Sequence, residues 1–208
     1  MASPPSVSKP IELIAPKLLI GEGVEEQRFF QSFLKHLAID DVQVAQYAGK
    51  AGLGRFLRTL RGVSGFSSLV SLGITRDADD SATSAFQSVC TSLKNAYLPA
   101  PDKPGATGKG RPNVSVFVLP DGAGSGMLED LCLSSVSNDT GMQCVDEFLT
   151  CVREKTNRTP DNLSKARAHV WLASKPRAGL RLGEAAENGY WPWGNDAFDS
   201  LRSFLQAL

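Results

Sequence analysis

The sequence predicts an α/β fold with a mostly parallel sheet of about four strands and helices on both of its faces. Three observations support this prediction. Short apolar runs alternate with amphipathic helix patterns three times before a fourth apolar run, an order typical of βαβ units. The fourth run, residues 114–119, is apolar almost throughout, as in a strand buried on both faces. The chain of 208 residues is 42% hydrophobic and 21% charged, which suffices for a sizeable core.

The predicted strands are short apolar runs, and the predicted helices repeat apolar residues at positions i, i+3, i+4 and i+7. The first strand ends at Gly21-Glu22-Gly23, where glycine favours a turn, and the third runs into Asp77-Ala78-Asp79. Strands are predicted at residues 17–20, 42–45, 69–74 and 114–119. Helices are predicted around residues 30–37, 53–60, 86–93, 145–152, 160–174 and 201–208.

Residue composition divides the chain into three parts. Residues 1–15 are rich in Pro and Ser, which predicts a flexible N-terminal arm. Residues 16–137 form the predicted α/β core, and within it a Pro- and Gly-rich segment at 99–112 favours a mobile loop. Residues 138–208 carry helix patterns only, so we expect a helical extension that packs on the core.

Charge, hydropathy and cysteine spacing limit the functional classes. Lys plus Arg equals Asp plus Glu at 22 each, so the net charge neither favours nor excludes a nucleic-acid partner. No apolar run approaches the roughly 18 residues of a membrane span, and no secretion signal is evident, so we expect a cytoplasmic protein without a membrane partner. The cysteines form no C-x-x-C pair, which suits a reducing compartment, and the spacing of Cys144 and Cys151 suggests buried thiols on one helix face.

Acidic side chains follow two of the predicted strands at the points where those strands end. Glu22 follows the first strand, and Asp77 and Asp79 follow the third. Ligands of open parallel sheets gather at the carboxyl ends of the strands, so we expect these carboxylates to lie close together. In an extended segment residues i and i+2 point the same way, and paired carboxylates suit a hard cation such as Mg²⁺ or Mn²⁺. Glu129, early in the helix after the fourth strand, is a candidate further ligand.

A second interpretation of the aspartates is helix capping. Asp is favoured at N-caps and in first helical turns, and a helix is predicted soon after Asp77, Asp79 and Asp80. For Asp80 capping is the favoured interpretation. For Asp77 and Asp79, capping and metal binding both stay open at this point.

The joint order of these motifs is more specific than any one of them, and it resembles the Toprim (topoisomerase–primase) fold. The resemblance rests on three features in this order: a Glu-Gly at the end of strand one, two strand–helix units, and an apolar strand that runs into Asp-x-Asp. Further segments are similar to a group of small stand-alone bacterial Toprim-like proteins of unassigned function, related to the nuclease domain of the OLD (overcoming lysogenisation defect) family. The segments are 18–23, 72–79, 119–121, 126–130, 179–185 and 189–191.

The resemblance implies metal-dependent phosphoryl transfer on nucleic acid, with phage defence or DNA processing as its setting. By this resemblance Glu22 would be the general acid/base, and Asp77 and Asp79 would hold Mg²⁺ or Mn²⁺. Nucleases of the OLD type use further acidic ligands and a lysine, for which Glu129 and Lys175 are the candidates.

The chain departs from the family pattern in two ways. Arg76 stands directly before the Asp-x-Asp, where an apolar residue is more usual, and turned inward it would neutralise part of the metal site. OLD proteins also carry an ATPase domain, whereas this sequence has no G-x-x-x-x-G-K-[ST] motif, so an ATPase partner would be a separate chain. The oligomeric state stays open, with a homodimer among the options.

Basic residues are locally segregated despite the zero net charge. Arg55, Arg58 and Arg61 recur every third residue opposite the apolar stripe of the second helix, with Lys50 just before it. A second basic stretch runs from 165 to 181 without an acidic residue. Such patches can neutralise phosphates, so Lys50 and the three arginines are candidate nucleic-acid contacts, although a solvated helix face explains them equally well.

Two other functions compete with a nuclease. The first is a non-catalytic Toprim-fold binding or regulatory module, which Arg76 and the missing ATPase motif favour. The second is a phosphatase of the haloacid-dehalogenase type, because residues 77–81 loosely resemble the Asp-x-Asp-x-Thr signature of that family. That signature normally lies on the first strand, whereas a long stretch of chain precedes it here.

Overall fold

The computed structural model describes residues 12–208, so the first eleven residues of the predicted arm lie outside the described part of the chain. The strands are β1 Lys17–Gly21, β2 Val42–Gln46, β3 Ser71–Asp77, β4 Thr107–Gly108 and β5 Asn113–Leu119. The helices are α1 Val24–His36, α2 Leu53–Leu60, α3 Ala82–Asn95, α4 Leu128–Ser135, α5 Gly141–Thr156, α6 Leu163–Ala173, α7 Leu182–Glu187 and α8 Asp199–Gln206. The α/β class predicted from the sequence is confirmed.

The five strands form one sheet in the order β2-β1-β3-β5-β4. The first four of these are parallel, with Ile20 of β1 opposite Ile74 of β3, and Asp77 of β3 opposite Leu119 of β5. The carboxyl ends of the parallel strands therefore lie along one edge of the sheet. In such sheets this edge is where ligands bind, because loops and helix N-termini converge there.

The predicted count of about four strands is one too few. β4 adds to the sheet edge as a two-residue antiparallel strand, with Thr107 opposite Ser115 and Gly108 opposite Val114. It lies inside segment 99–112, for which the composition predicts a loop. Two residues among glycines and prolines carry no period-two pattern, so the sequence contains no signal for this strand.

Helices cover both faces of the sheet over two separate hydrophobic cores. One core joins α1 to the C-terminal helices α4 to α8, and the other joins α2 to α3. Leu19 of β1 belongs to the first core, whereas its neighbours Leu18 and Ile20 belong to the second, as alternation along a strand requires. The helices of 138–208 thus share their core with α1.

Buried tryptophans hold the C-terminal helices together. Trp171 of α6 stacks on Trp191 with ring centroids 5.0 Å apart, and both side chains are 1% exposed. The indole N–H of Trp191 donates to the carbonyl of Leu182, at the start of α7, at 3.1 Å. These contacts fix α7 beside α6, and both helices lie near the first turn of α1.

Two local predictions were wrong. Cys144 and Cys151 do lie on α5, but both are exposed, because the buried side of that helix is formed by Met142 and Val145. The helix predicted from residue 160 begins only at Leu163, because the side chain of Asn162 caps it. Within residues 12–208, no helix is both long enough and apolar enough to cross a membrane.

Candidate functional site

The carboxyl edge of the sheet brings four acidic side chains into one neighbourhood. Glu22 follows β1 directly, and Asp77 is the last residue of β3. Glu26 lies in the first turn of α1, and Glu129 lies in the first turn of α4. We call Glu22, Glu26, Asp77 and Glu129 the acidic cluster.

Glycine at position 21 allows α1 to start close to β1. A Cβ on Gly21 would lie 2.9 Å from the Cβ of Glu26, a distance that side chains do not tolerate. The carboxylate of Glu26 accepts a hydrogen bond from the backbone N–H of Gly23 at 2.8 Å, which satisfies a donor at the start of the helix. The Gly21-Glu22-Gly23 turn therefore places Glu26 over the strand end.

Asp77 is the acidic side chain most affected by its neighbours. Burial, followed by the nearby carboxylates of Glu26 and Glu129, raises its pKa to about 7. A hydrogen bond from the backbone N–H of Leu128, 3.0 Å from Oδ1, opposes this rise but does not cancel it. Asp77 therefore carries a proton or a charge near neutral pH, depending on what else enters the site.

The pKa values of Glu26 and Glu129 are raised as well, but by less than that of Asp77. Burial is the main cause of a raised pKa for each of them. The charges of Glu22 and Glu129 add to the rise for Glu26, whereas Lys165 and His169 partly offset it for Glu129. The acidic cluster thus concentrates more negative charge than its partly buried surroundings compensate.

Arg76 turns inward and pairs with Glu22. Its Nη1 lies 3.4 Å from Oε2 of Glu22, and the two side chains are 11% and 20% exposed. Within the described residues, neither Oε2 of Glu22 nor Nε of Arg76 has a hydrogen-bond partner, although both atoms are buried. The pair is therefore incompletely satisfied, which is costly for buried charged groups.

The contacts of Asp79 are with residues outside the acidic cluster. Its backbone adopts a left-handed conformation with φ of 52°, and its N–H donates to the carbonyl of Gly126 at 2.9 Å. Its carboxylate pairs with the ammonium of Lys50. The segment after Asp77 is therefore not extended, and the i, i+2 alignment expected for Asp77 and Asp79 does not apply.

Capping of α3, the helix that follows them, does not explain the aspartates either, although Asp77 accepts from the N–H of Leu128 at the start of α4. The N-cap of α3 is Ser81, whose hydroxyl accepts from the backbone N–H of Ser84 at 3.2 Å. Asp80, for which capping was the favoured interpretation, is exposed and does not fill that position. At α4 the capping carboxylate is that of Asp130, which accepts from the N–H of Met127 at 2.8 Å and from the hydroxyl of Ser164.

The donor set fits a hard cation, although its side chains are not arranged as finished ligands. Across residues 12–208, no three His, Cys, Asp or Glu side chains stand where they could hold one metal ion. The acidic cluster nevertheless offers carboxylate oxygens, which Mg²⁺ and Mn²⁺ prefer, and one of them is a buried Glu22 oxygen without a hydrogen bond. To bind an ion, the carboxylate of Glu22 would have to leave Arg76 and contact the metal instead.

Lys175 is placed away from this chemistry. Its ammonium donates to Asp139 at 2.7 Å and lies 3.8 Å from the centre of the Trp171 ring. The contacts fix the C-terminal end of α6 against the start of α5, and none involves the acidic cluster. The structure thus gives Lys175 a packing role that the resemblance to OLD nucleases did not suggest.

The three arginines of α2 lie on the other side of the sheet from α1 and α4, whereas Lys50, which precedes α2, lines a pocket together with Asp130 and Ser164. Lys50, Arg55, Arg58 and Arg61 are exposed, and α2 belongs to the core that includes α3. Lys50 alone reaches a predicted site residue, through its ion pair with Asp79. Nothing in the described residues brings the three arginines to the acidic cluster.

Sequence reasoning missed two features of the site. Glu26 was not assigned a role, although it lies in the first turn of the helix that follows Glu22 and could have been found from that position. A cavity of about 390 Å³ also opens beside Glu26 and Glu129, and Lys165, His169 and Arg181 contribute to its lining. The sequence showed that basic stretch but not where it would fold.

Comparison with known proteins identifies the family without assigning an activity. Neither the curated proteins nor the solved structures contain a match to this chain. A family model described as "Protein of unknown function (DUF3226)" matches residues 16–208, which includes every strand and helix described above. The chain therefore belongs to the DUF3226 family.

Proposed function

We propose that this protein is a Toprim-type phosphoryl-transfer protein that uses Mg²⁺ or Mn²⁺, and that it acts as a nuclease. The observation that carries the proposal is the acidic cluster at the carboxyl edge of the parallel sheet. Burial and mutual repulsion raise the pKa values of Asp77, Glu26 and Glu129 together. Clustered carboxylates with raised pKa values are frequent at functional sites, and a divalent cation relieves their repulsion.

Asp77, Glu26 and Glu129 would hold the ion, and Glu22 would join them on release from Arg76. When bound, the ion would polarise the phosphate and help to form hydroxide from water. The buried Oε2 of Glu22 pairs with Arg76 but has no hydrogen bond, so on release from Arg76 it would be suited to take the proton of the attacking water. Asp79, which pairs with Lys50, belongs to the rim of this site in the proposal rather than to its centre.

The decisive experiment measures Mn²⁺ binding by calorimetry and cleavage of DNA and RNA in the presence of Mg²⁺. We expect wild type to bind Mn²⁺ and Asp77→Asn plus Glu129→Gln to lose that binding together with cleavage. Glu154→Gln is the control, since it removes an exposed carboxylate of α5. Absence of Mn²⁺ binding by wild type at millimolar concentration, or equal binding by the double variant, would refute the proposal.

A separate comparison of Asp77→Asn with Asp79→Asn shows which of the two Asp-x-Asp residues binds the ion. The resemblance makes both aspartates ligands, whereas the ion pair between Lys50 and Asp79 favours a rim role for the second. If Asp79 is on the rim, its variant retains most Mn²⁺ binding while the Asp77 variant does not.

The second candidate function is a non-catalytic module that binds a partner. It is favoured by the ion pairs of Arg76 with Glu22 and of Lys50 with Asp79, because protein cations then lie where a metal would be expected. The separate ATPase chain implied by the resemblance would be such a partner. Under this alternative the protein binds no Mn²⁺, and removal of Arg76 lowers stability without creating a metal site.

A further inference from the structure

The cavity beside the acidic cluster is lined by both acidic and basic side chains. It lies between α1, α4, α6 and α7, and its volume is about 390 Å³. Glu26 and Glu129, which belong to the acidic cluster, are part of its lining. The lining also includes three basic side chains, which we call the basic group: Lys165 and His169 from α6, and Arg181 directly before α7.

These three basic side chains have no acidic partner in the described structure. Across residues 12–208, no carboxylate lies within 4.0 Å of Lys165, His169 or Arg181. Their neighbours in the same region are paired, since Arg167 contacts Asp146 and Lys175 contacts Asp139. The basic groups that face the cavity are thus available to a ligand.

The acids of the cavity balance the basic group only in part. Glu25, which also lines the cavity, accepts from the backbone N–H of Gly183 at 2.9 Å. The charges of Lys165 and His169 act on Glu129 and partly offset its raised pKa. In the proposed function a cation binds Glu26 and Glu129, and an anion would then be needed to balance the charges of the basic group.

Part of the lining of the cavity is apolar. Leu128, Ala168, Leu172 and Leu182 line it, and all four are buried. Cavities for small ligands are typically about 300 to 1,000 Å³ and combine apolar surface with a few placed polar groups. This cavity is at the small end of that range. A single nucleotide matches its volume. The phosphate of a nucleotide suits the basic part of the lining, and its base and sugar suit the apolar part.

We propose that the cavity binds one nucleotide unit, with its phosphate at Lys165, His169 and Arg181 and its sugar and base over Ala168, Leu172 and Leu182. This proposal rests on the proposed function and names its substrate class: a strand end or a free nucleotide. A continuous duplex needs an open groove, whereas helices bound this cavity on several sides. It also assigns phosphate recognition to α6 and Arg181 instead of to the arginines of α2.

The test is binding of 5′-dAMP, measured by calorimetry with and without Mg²⁺. We expect wild type to bind it and Lys165→Gln plus Arg181→Gln to bind at least about tenfold more weakly, because the variant loses two charged donors to the phosphate. Arg55→Gln plus Arg58→Gln is the matched control, since it removes two exposed charges on the other side of the sheet. Circular dichroism and thermal unfolding verify that both double variants are folded.

The outcomes separate this proposal from the proposed function. Unchanged dAMP binding by the Lys165/Arg181 variant, no dAMP binding by wild type at millimolar concentration, or loss of binding in the α2 control would each overturn the cavity assignment. If Mn²⁺ binds wild type normally in those cases, the metal proposal stands alone. If wild type binds no Mn²⁺ but dAMP binding still depends on Lys165 and Arg181, the nucleotide cavity stands and the metal proposal fails.

Discussion

Arg76 Nη1 lies 3.4 Å from Glu22 Oε2, on side chains that are largely removed from solvent. The arginine directly precedes Asp77, the carboxylate of the cluster with the largest pKa shift, and its charge partly balances that of Glu22. Its guanidinium stabilises Glu22 in the absence of a cation and opposes a cation that would take its place. This competition between Arg76 and a cation for Glu22 can be measured.

Arg76→Met should strengthen Mn²⁺ binding about tenfold while lowering stability without metal by about 1–3 kcal/mol. The affinity rises because a competing positive charge is gone, and tenfold corresponds to about 1.4 kcal/mol. The stability falls because Glu22 is left buried and unpaired. Calorimetry measures the affinity, and urea unfolding with and without Mn²⁺ measures the stability. Weaker Mn²⁺ binding by the variant would show that Arg76 supports the site instead of competing within it.

Stability should fall as the pH rises from about 4 to about 7, and Asp77 should be a main cause. Its pKa of about 7 in the folded protein lies above the ordinary value of 3.8. Between these pH values the folded state keeps a proton that the unfolded state has lost, so a rise in pH favours unfolding. The shift corresponds to up to about 4 kcal/mol. Urea unfolding of wild type and Asp77→Asn across this pH range measures the effect.

The Asn variant and added Mn²⁺ provide the controls for this pH dependence. Asp77→Asn should be more stable than wild type at pH 8, and the difference should vanish below about pH 4. A bound cation favours the ionised form of Asp77, so millimolar Mn²⁺ should reduce the loss of stability in wild type. Parallel curves for wild type and variant would mean that Asp77 is not the titrating group.

The sequence predicted the parallel sheet and the meeting of strand ends because apolar runs and turn residues are local signals. Glu22 and Asp77 come together for this reason, since both follow from where β1 and β3 end. The position of Asp79 did not follow, because a left-handed residue stabilised by a bond to Gly126 depends on a loop more than forty residues later. The role of Lys175 was equally inaccessible, since Asp139 and Trp171 meet it only through helix packing.

Asp130→Ala should destabilise the protein by about 1–2 kcal/mol. Its carboxylate accepts from the N–H of Met127 and from the hydroxyl of Ser164, so it caps α4 and ties that helix to α6. Because α4 carries Glu129, metal binding should weaken as well. Urea unfolding measures the first effect. Ser164→Ala is the partial control, since it removes one of the two contacts and should cost less.

Lys175→Ala should lower stability by about 1 kcal/mol and leave Mn²⁺ binding unchanged. The variant loses an ion pair with Asp139 and a cation–π contact with Trp171, each of modest strength at a partly exposed position. Thermal unfolding and Mn²⁺ calorimetry on the same samples separate the two effects. A large loss of cleavage with normal stability would support the catalytic role that the resemblance to OLD nucleases implied for this lysine.

Arg55, Arg58 and Arg61 test whether nucleic acid extends beyond the cavity. All three are exposed and, within residues 12–208, none lies within 4.0 Å of a carboxylate, so their joint replacement by Gln should change stability little. If α2 neutralises the phosphates of a longer strand, the variant should bind a single-stranded oligonucleotide more weakly. The slope of log affinity against log salt concentration should then fall by about 0.7 for each phosphate that is no longer neutralised. An unchanged slope together with normal dAMP binding would confine recognition to the terminal nucleotide, and the arginines would be a solvated helix face.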